Sequence, residues 1–199
     1  MAVIILSGGL SSRMGRNKAL LPAEGTTLLQ SLVSRFSEEL GPVIVVLRQR
    51  QNLSIQNAVV TRDVLNDAGP LGGLHAGLLA APDDVNLALA CDMPFANVEL
   101  ARHILSRANG YDAVVPKLER GIEPLFAAYR KACIADIEFL IEAGKRRMRD
   151  LLDQVRTLYL DESELRYYEP DLHSFINVNT PEDYTTYLML SGVEPGPAP

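Results

Sequence analysis

The sequence predicts an α/β fold with a mostly parallel sheet, and three observations carry that prediction. Short, continuous, β-branched apolar runs recur at residues 3–6, 43–47, 58–61, 87–90, 113–115 and, less sharply, 155–160, as in strands covered on both faces. Helical patterns fill the intervals, and alternation of strand with helix marks a layered α/β domain. The first run also leads straight into Ser7-Gly8-Gly9, and glycines after a first strand let the backbone close on a ligand.

The first helix, over 27–40, places Leu28, Leu29, Leu32, Val33 and Phe36 on one face. Further helices are expected over 71–81, 98–108 and 133–142. The last opens at Thr180-Pro181-Glu182-Asp183, with a capping threonine, proline at the first helical position and early acids. The Pro/Gly-rich tail, 192–199, is expected to fray. With 199 residues, no internal repeat and no linker, a single domain over 1–191 is expected. That length buries a core without disulfides or a structural metal.

Composition excludes several functions. Apolar residues make up 47% and charged residues 22% of the chain, ordinary for a soluble globular protein. Lys plus Arg is 19 against 25 acids, a net charge of −6, so nucleic-acid binding, which rests on phosphate neutralisation, is disfavoured. No apolar stretch approaches the roughly 20 residues that span a bilayer. The N-terminus lacks the basic lead-in of a secretory signal, and a cytoplasmic protein without membrane contact is expected. Cys91 and Cys133 suit neither a disulfide framework nor a zinc site and read as small buried hydrophobes. His75, His103 and His173 show no metal-ligand spacing.

The glycine segment continues Leu10-Ser11-Ser12-Arg13-Met14-Gly15-Arg16-Asn17-Lys18. It fails the GxGxxG dinucleotide pattern and, with Gly15 and Lys18 separated, the Walker A pattern as well. What remains is a loop with two serines and three cations, Arg13, Arg16 and Lys18, and no acid. Guanidinium and ammonium groups beside free backbone amides suit a triphosphate. Asp92 ends the 87–91 run before Met93-Pro94; it either caps the next turn or projects into the crevice at the carboxyl ends of the strands, where magnesium takes one or two carboxylates with phosphate oxygens and water. Asp63 follows the third strand and precedes a Gly69-Pro70-Leu71-Gly72-Gly73 loop. Lys145, Arg146, Arg147 and Arg149 form a second cationic run after Gly144. At a helix start this run opposes the dipole, which hints at a bound anion. Asn177 and Asn179 alternate along an extended segment and so share one side.

Five segments in order are similar to those of the molybdenum cofactor guanylyltransferase family, within the nucleotidyltransferase superfamily. They are residues 6–15 with Lys18-Ala19-Leu20-Leu21; Asp63 with 69–78; Cys91-Asp92-Met93-Pro94; 123–129; and 175–183. The resemblance implies a three-layer Rossmann-like nucleotidyltransferase fold, with residues 1–95 as the nucleotide-binding half and 96–191 as the pterin-binding half. It implies GTP and molybdopterin as substrates, Mg2+ as cofactor, and transient contact with other proteins of cofactor biosynthesis. Leu6, Ser7, Gly8, Gly9 and Asp63 then lie at the GTP site with Lys18 and Asp92. Asp92 is the metal position, Arg13, Lys18 and Asp92 are catalytic, and Asn177 and Asn179 serve the pterin. Two positions depart from the family pattern: Ser7 stands where alanine is usual and Asn17 where aspartate is usual. The rival readings are a CTP-dependent molybdopterin cytidylyltransferase, another small-molecule nucleotidyltransferase, and a silent nucleotide-binding subunit. The Gly8-Gly9 pair and the Gly69–73 segment favour GTP.

Overall fold

The central strand decides the layering. In β1 (Val3–Ser7) every residue is buried, and successive side chains point to opposite faces. Val3 and Ile5 join one apolar core, Ile4 and Leu6 another. The structure is a computed structural model that describes residues 1–7, 17–48, 51, 53–63, 65 and 68–192. After β1 come a short hairpin, β2 (Pro22–Ala23) and β3 (Thr26–Thr27), then α1 (Leu28–Glu39), β4 (Val43–Leu47), β5 (Val59–Arg62) and α2 (Gly69–Ala80). Next are β6 (Val85–Ala90), α3 (Val98–Ser106), β7 (Ala113–Leu118), β8 (Gly121–Ile122) and β9 (Phe126–Arg130). The chain ends with α4 (Cys133–Glu142), α5 (Met148–Leu152), β10 (Thr157–Asp161), α6 (Glu162–Tyr168) and α7 (Pro181–Ser191).

The main sheet runs β10-β7-β9-β6-β1-β4-β5, with β8 paired to β7. β1 lies parallel to β4 and β6, β4 to β5, and β7 to β10. β9 runs antiparallel to both β6 and β7. Side chains of α1, α3 and α6 fill the core on one face; those of α2, α4 and α5 fill the other. The three-layer α/β expectation holds. After β1 the chain adds β4 and β5 on one side, then crosses to set β6 on the other. The carboxyl ends of β1 and β6 therefore flank a switch point, where open α/β sheets bind ligands.

Local chemistry explains the helices. Thr27 Oγ1 accepts from Gln30 N at 3.2 Å and caps α1, which buries the five apolar residues named from its periodicity. In α7, Thr180 and Asp183 form a reciprocal capping box. In α2 the glycines serve close packing. A Cβ on Gly77 would lie 2.2 Å from Ile4 Cγ2, and one on Gly73 would lie 3.2 Å from Leu6 Cδ2, so the helix rests its backbone on β1. A small third cluster, Leu21, Ala23, Leu28, Val178 and Tyr187, seats α7 on the hairpin, and Tyr184 Oη donates to Pro22 O at 2.8 Å.

Several expectations are corrected. Residues 69–73 are the first turn of α2, not a loop; their glycines are there for close approach rather than for a turn, apart from Gly69 at φ +59°. β5 is an edge strand with Val59 57% and Val60 37% exposed, so its β-branched residues support conformation rather than burial on both faces. The reversed strand β9 and the helices α5 and α6 are additions, and the strand expected over 155–160 begins at Thr157. The tail, 193–199, lies outside the described residues. Both cysteines are buried thiols. No helix among the described residues is long and apolar enough to cross a membrane.

Candidate active site

Residues 8–16 lie outside the described residues, so Gly8, Gly9 and Arg13 have no place in the geometry that follows. The segment is next described at Asn17, whose Oδ1 accepts from Ala19 N at 3.2 Å and caps a short 3-10 turn, Lys18–Leu20. An asparagine thus does at this position the capping that an aspartate also can. The turn aims Lys18 inward, with its side chain only 14% exposed. Lys18 Nζ donates to Asn179 Oδ1 at 2.5 Å and stands 3.5 Å from Asp92 Oδ2.

Asp92 lies two residues past the end of β6. Cys91 N donates to Leu6 O at 3.1 Å, continuing the ladder to β1, and Asp92 O accepts from Val178 N at 2.8 Å. That second bond draws the Asn177–Asn179 segment onto the end of β6, with Val178 fully buried between the two asparagines. Burial raises the Asp92 carboxyl above the usual aspartate value, and Lys18 opposes the rise. Asn179 N donates to Asp183 Oδ2 at 2.8 Å, so the capping box of α7 also fixes the asparagine that meets Lys18. Lys18, Asp92 and Asn179, far apart in the chain, converge at the switch point.

Leu6 and Ser7 end β1, Leu6 beneath Gly73 and Ser7 buried beside Cys91. The Cys91 thiol is pushed up to about 12, first by burial and then by Asp92, so it is not a nucleophile at neutral pH. Asp63 extends β5, its N donating to Leu47 O at 3.0 Å, and its Oδ1 accepts from Leu65 N at 2.9 Å. Both Asp63 oxygens lie 2.7 Å from where a Gly72 Cβ would sit, so glycine at 72 makes room for this carboxylate. Burial raises its pKa; the Leu65 bond, His75 and Arg48 offset part of the rise. Asp63 does not join the Lys18 cluster. Three strand spacings, roughly 14 Å, separate the ends of β5 and β6.

The second cationic run behaves differently from expectation. Arg146 Nη1 donates to Ile141 O at 2.6 Å and to Lys145 O at 2.9 Å. It closes the carboxyl end of α4, where the dipole favours cations. Arg147 N donates to Asp150 Oδ2 at 3.2 Å at the start of α5, so an acid within the helix also meets its amino end. Asn177 turns its Nδ2 back toward Phe175 O at 3.5 Å. Arg120 and Glu138 are residues that the sequence does not single out. Arg120 bridges Glu123 and Phe175 O. His75, 4% exposed, contacts Glu138 Oε1 through Nε2 at 2.9 Å, while its buried Nδ1 lacks a partner among the described residues. The Arg120–Glu123 spacing of three across a tight turn was the available signal for that pair; nothing marked Glu138.

A family model described as a MobA-like NTP transferase domain matches residues 3–158. A protein of Pelotomaculum thermopropionicum named "Probable molybdenum cofactor guanylyltransferase" is 38% identical over 180 residues, covering 90% of this chain and 88% of the relative. One of Peptoclostridium acidaminophilum with the same name is 34% identical over 200 residues, covering 97% and 90%. The chain belongs to the molybdenum cofactor guanylyltransferase family. Its nucleotidyltransferase domain has the expected solved relative: Molybdopterin-guanine dinucleotide biosynthesis protein A from Archaeoglobus fulgidus superposes with TM-score 0.84 at 26% identity, covering 98% of this chain and 100% of that one. A 2-C-methyl-D-erythritol 4-phosphate cytidylyltransferase from Thermus thermophilus shares the fold alone, with TM-score 0.69 at 18% identity.

Proposed function

We propose that this protein transfers GMP from GTP to the terminal phosphate of molybdopterin, releasing pyrophosphate and forming the guanine dinucleotide form of the cofactor. The observation that carries the reading is the ammonium of Lys18 held between Asp92 and Asn179 at the carboxyl ends of β1 and β6, in a chain of this family. A phosphate oxygen of the pterin substrate attacks the α-phosphorus in line; the new P–O bond forms as the bond to the β-phosphate breaks and pyrophosphate leaves. No side-chain nucleophile is required, because such transfers are driven by positioning and electrostatics. Lys18, with Arg13, Gly8 and Gly9 of the preceding loop, offsets and cradles the triphosphate charge. Asp63, roughly 14 Å along the sheet edge, accepts from the N1 and N2 donors of guanine, while the backbone at Leu6 and Ser7 borders the nucleotide.

Asp92 fits a magnesium ion. Its carboxylate lies partly exposed at the carboxyl end of the sheet. A hard oxygen donor there would hold the ion, with phosphate oxygens and water completing the set that magnesium prefers. Such an ion would supply charge neutralisation on the triphosphate. Asn177 and Asn179 serve the pterin side, so residues 1–95 hold the nucleotide and 96–191 the pterin within one domain over 1–191. A cytoplasmic location and transient contact with other proteins of cofactor biosynthesis go with this reading.

Thermal unfolding with magnesium and each of GTP, CTP, ATP and UTP tests the base. Selective stabilisation by GTP is expected, about 2.7 kcal/mol at a hundred times Kd. Selective stabilisation by CTP would replace guanylyl by cytidylyl transfer.

A further inference from the structure

A second acid faces the crevice that holds Asp92. Glu123 lies just before β9, and because β9 is reversed its start stands at the carboxyl end of β6: Ala90 N donates to Leu125 O at 2.9 Å. The Glu123 side chain is 19% exposed. Two contacts set its place. Glu123 N donates to Pro116 O at 2.9 Å, and Arg120 Nη2 donates to Glu123 Oε1 at 3.1 Å. The same nitrogen donates to Phe175 O at 2.5 Å, the carbonyl that Asn177 Nδ2 also approaches. One guanidinium therefore ties a shielded acid to the segment that carries Asn177. Oε1 is engaged by Arg120, and Oε2 has no hydrogen-bond partner among the described residues.

We propose that Glu123, positioned by Arg120, is the specificity-determining residue for the pterin ring of the second substrate. This rests on the pterin substrate proposed above. The 2-amino-4-oxo edge of a pterin presents an amino group and a neighbouring ring N–H, two donors side by side. A carboxylate is an acceptor with two oxygens, and its hydrogen bonds to such donors are charge-assisted. Asn177, across the Phe175 carbonyl, both donates and accepts and suits the adjoining ring carbonyl. Asp63, past β5, and Glu123, before β9, then read chemically similar edges, one on each substrate. A site built to hydrogen-bond a donor rejects an analogue that lacks it.

The test uses the intact enzyme with GTP, magnesium and molybdopterin, and compares pterin-6-carboxylate with lumazine-6-carboxylate, which carries oxygen in place of the 2-amino group, as competitive inhibitors. Wild type should bind the pterin compound at least about tenfold more tightly. Glu123→Gln should raise KM for molybdopterin roughly tenfold or more and flatten that preference. KM for GTP and the magnesium requirement should stay within about twofold. Glu123→Asp, which keeps the charge but withdraws it by one methylene, should keep the preference with weaker binding. Equal inhibition of wild type by the two compounds overturns the proposal without any variant. So does a Glu123→Gln loss confined to GTP KM, magnesium dependence or kcat. If wild type binds GTP but makes no product from molybdopterin, the pterin substrate itself is wrong and the inference falls with it.

Discussion

Lys18 and Asp92 face each other at 3.5 Å across the switch point, one following β1 and the other two residues past the end of β6. Their pairing is a product of topology: 73 residues of chain lie between them, yet adjacent parallel strands bring both to one end of the sheet.

Replacing Lys18 by Ala should lower kcat by about 100- to 1000-fold, the usual cost of one preorganised electrostatic group at a transition state. Circular dichroism should be unchanged, because Asn179 keeps its own bond to Asp183. Steady-state rates with saturating GTP check this; full activity would remove Lys18 from the mechanism.

The glycines of α2 should separate binding from stability. Gly72→Ala drives a Cβ against both Asp63 oxygens, and should raise KM for GTP about tenfold, as loss of one charged hydrogen bond does. Asp63→Asn should weaken GTP by a similar or larger factor and relax the preference for guanine. Gly77→Ala instead collides with Ile4 in the core; overpacking of this kind costs about 1–3 kcal/mol. Its signature is a lower Tm with KM for GTP unchanged.

The Asp112–Arg156 pair should give a pH-dependent stability term. Arg156 donates to both Asp112 oxygens, at 2.9 and 3.0 Å, and holds the carboxyl below its usual value. A depressed folded-state pKa stabilises the fold above the unfolded value, roughly 3.9, and the gain disappears as pH falls through the folded value. Asp112→Asn should therefore cost up to about 1 kcal/mol at pH 7, the arginine being largely exposed. The difference from wild type should shrink steadily in melts as pH falls below the unfolded value, roughly 3.9.

Much of this was legible in sequence. The buried strands 43–47 and 87–90, the face of α1 and the cap of α7 follow from periodicity and capping chemistry, whereas the contact of Lys18 with Asn179 joins two motifs that the sequence reads separately. β9 was not legible: Phe126-Ala127-Ala128-Tyr129 is apolar without alternation, because both its faces are covered, and nothing in such a run states direction. α6 buries a single residue, Leu165, too little for a helical stripe. The glycines of 69–73 were read as a loop because glycine signals both turns and close packing, and only the neighbour, Asp63 or Leu6, decides which. In the cationic run at 145–149, the part Arg146 plays in capping the carboxyl end of α4 is invisible until the helix boundary is known. Glu123 opens one of the family-like segments, but its nearness to Asp92 and its tie to Arg120 follow from the reversed strand.

The most direct measurement of the central claim is label transfer from GTP. With [α-32P]GTP, magnesium and molybdopterin, the protein should move label into a guanine dinucleotide of the pterin and release one pyrophosphate per product. Label transferred from CTP but not GTP, or pyrophosphate released without a labelled pterin product, would contradict it.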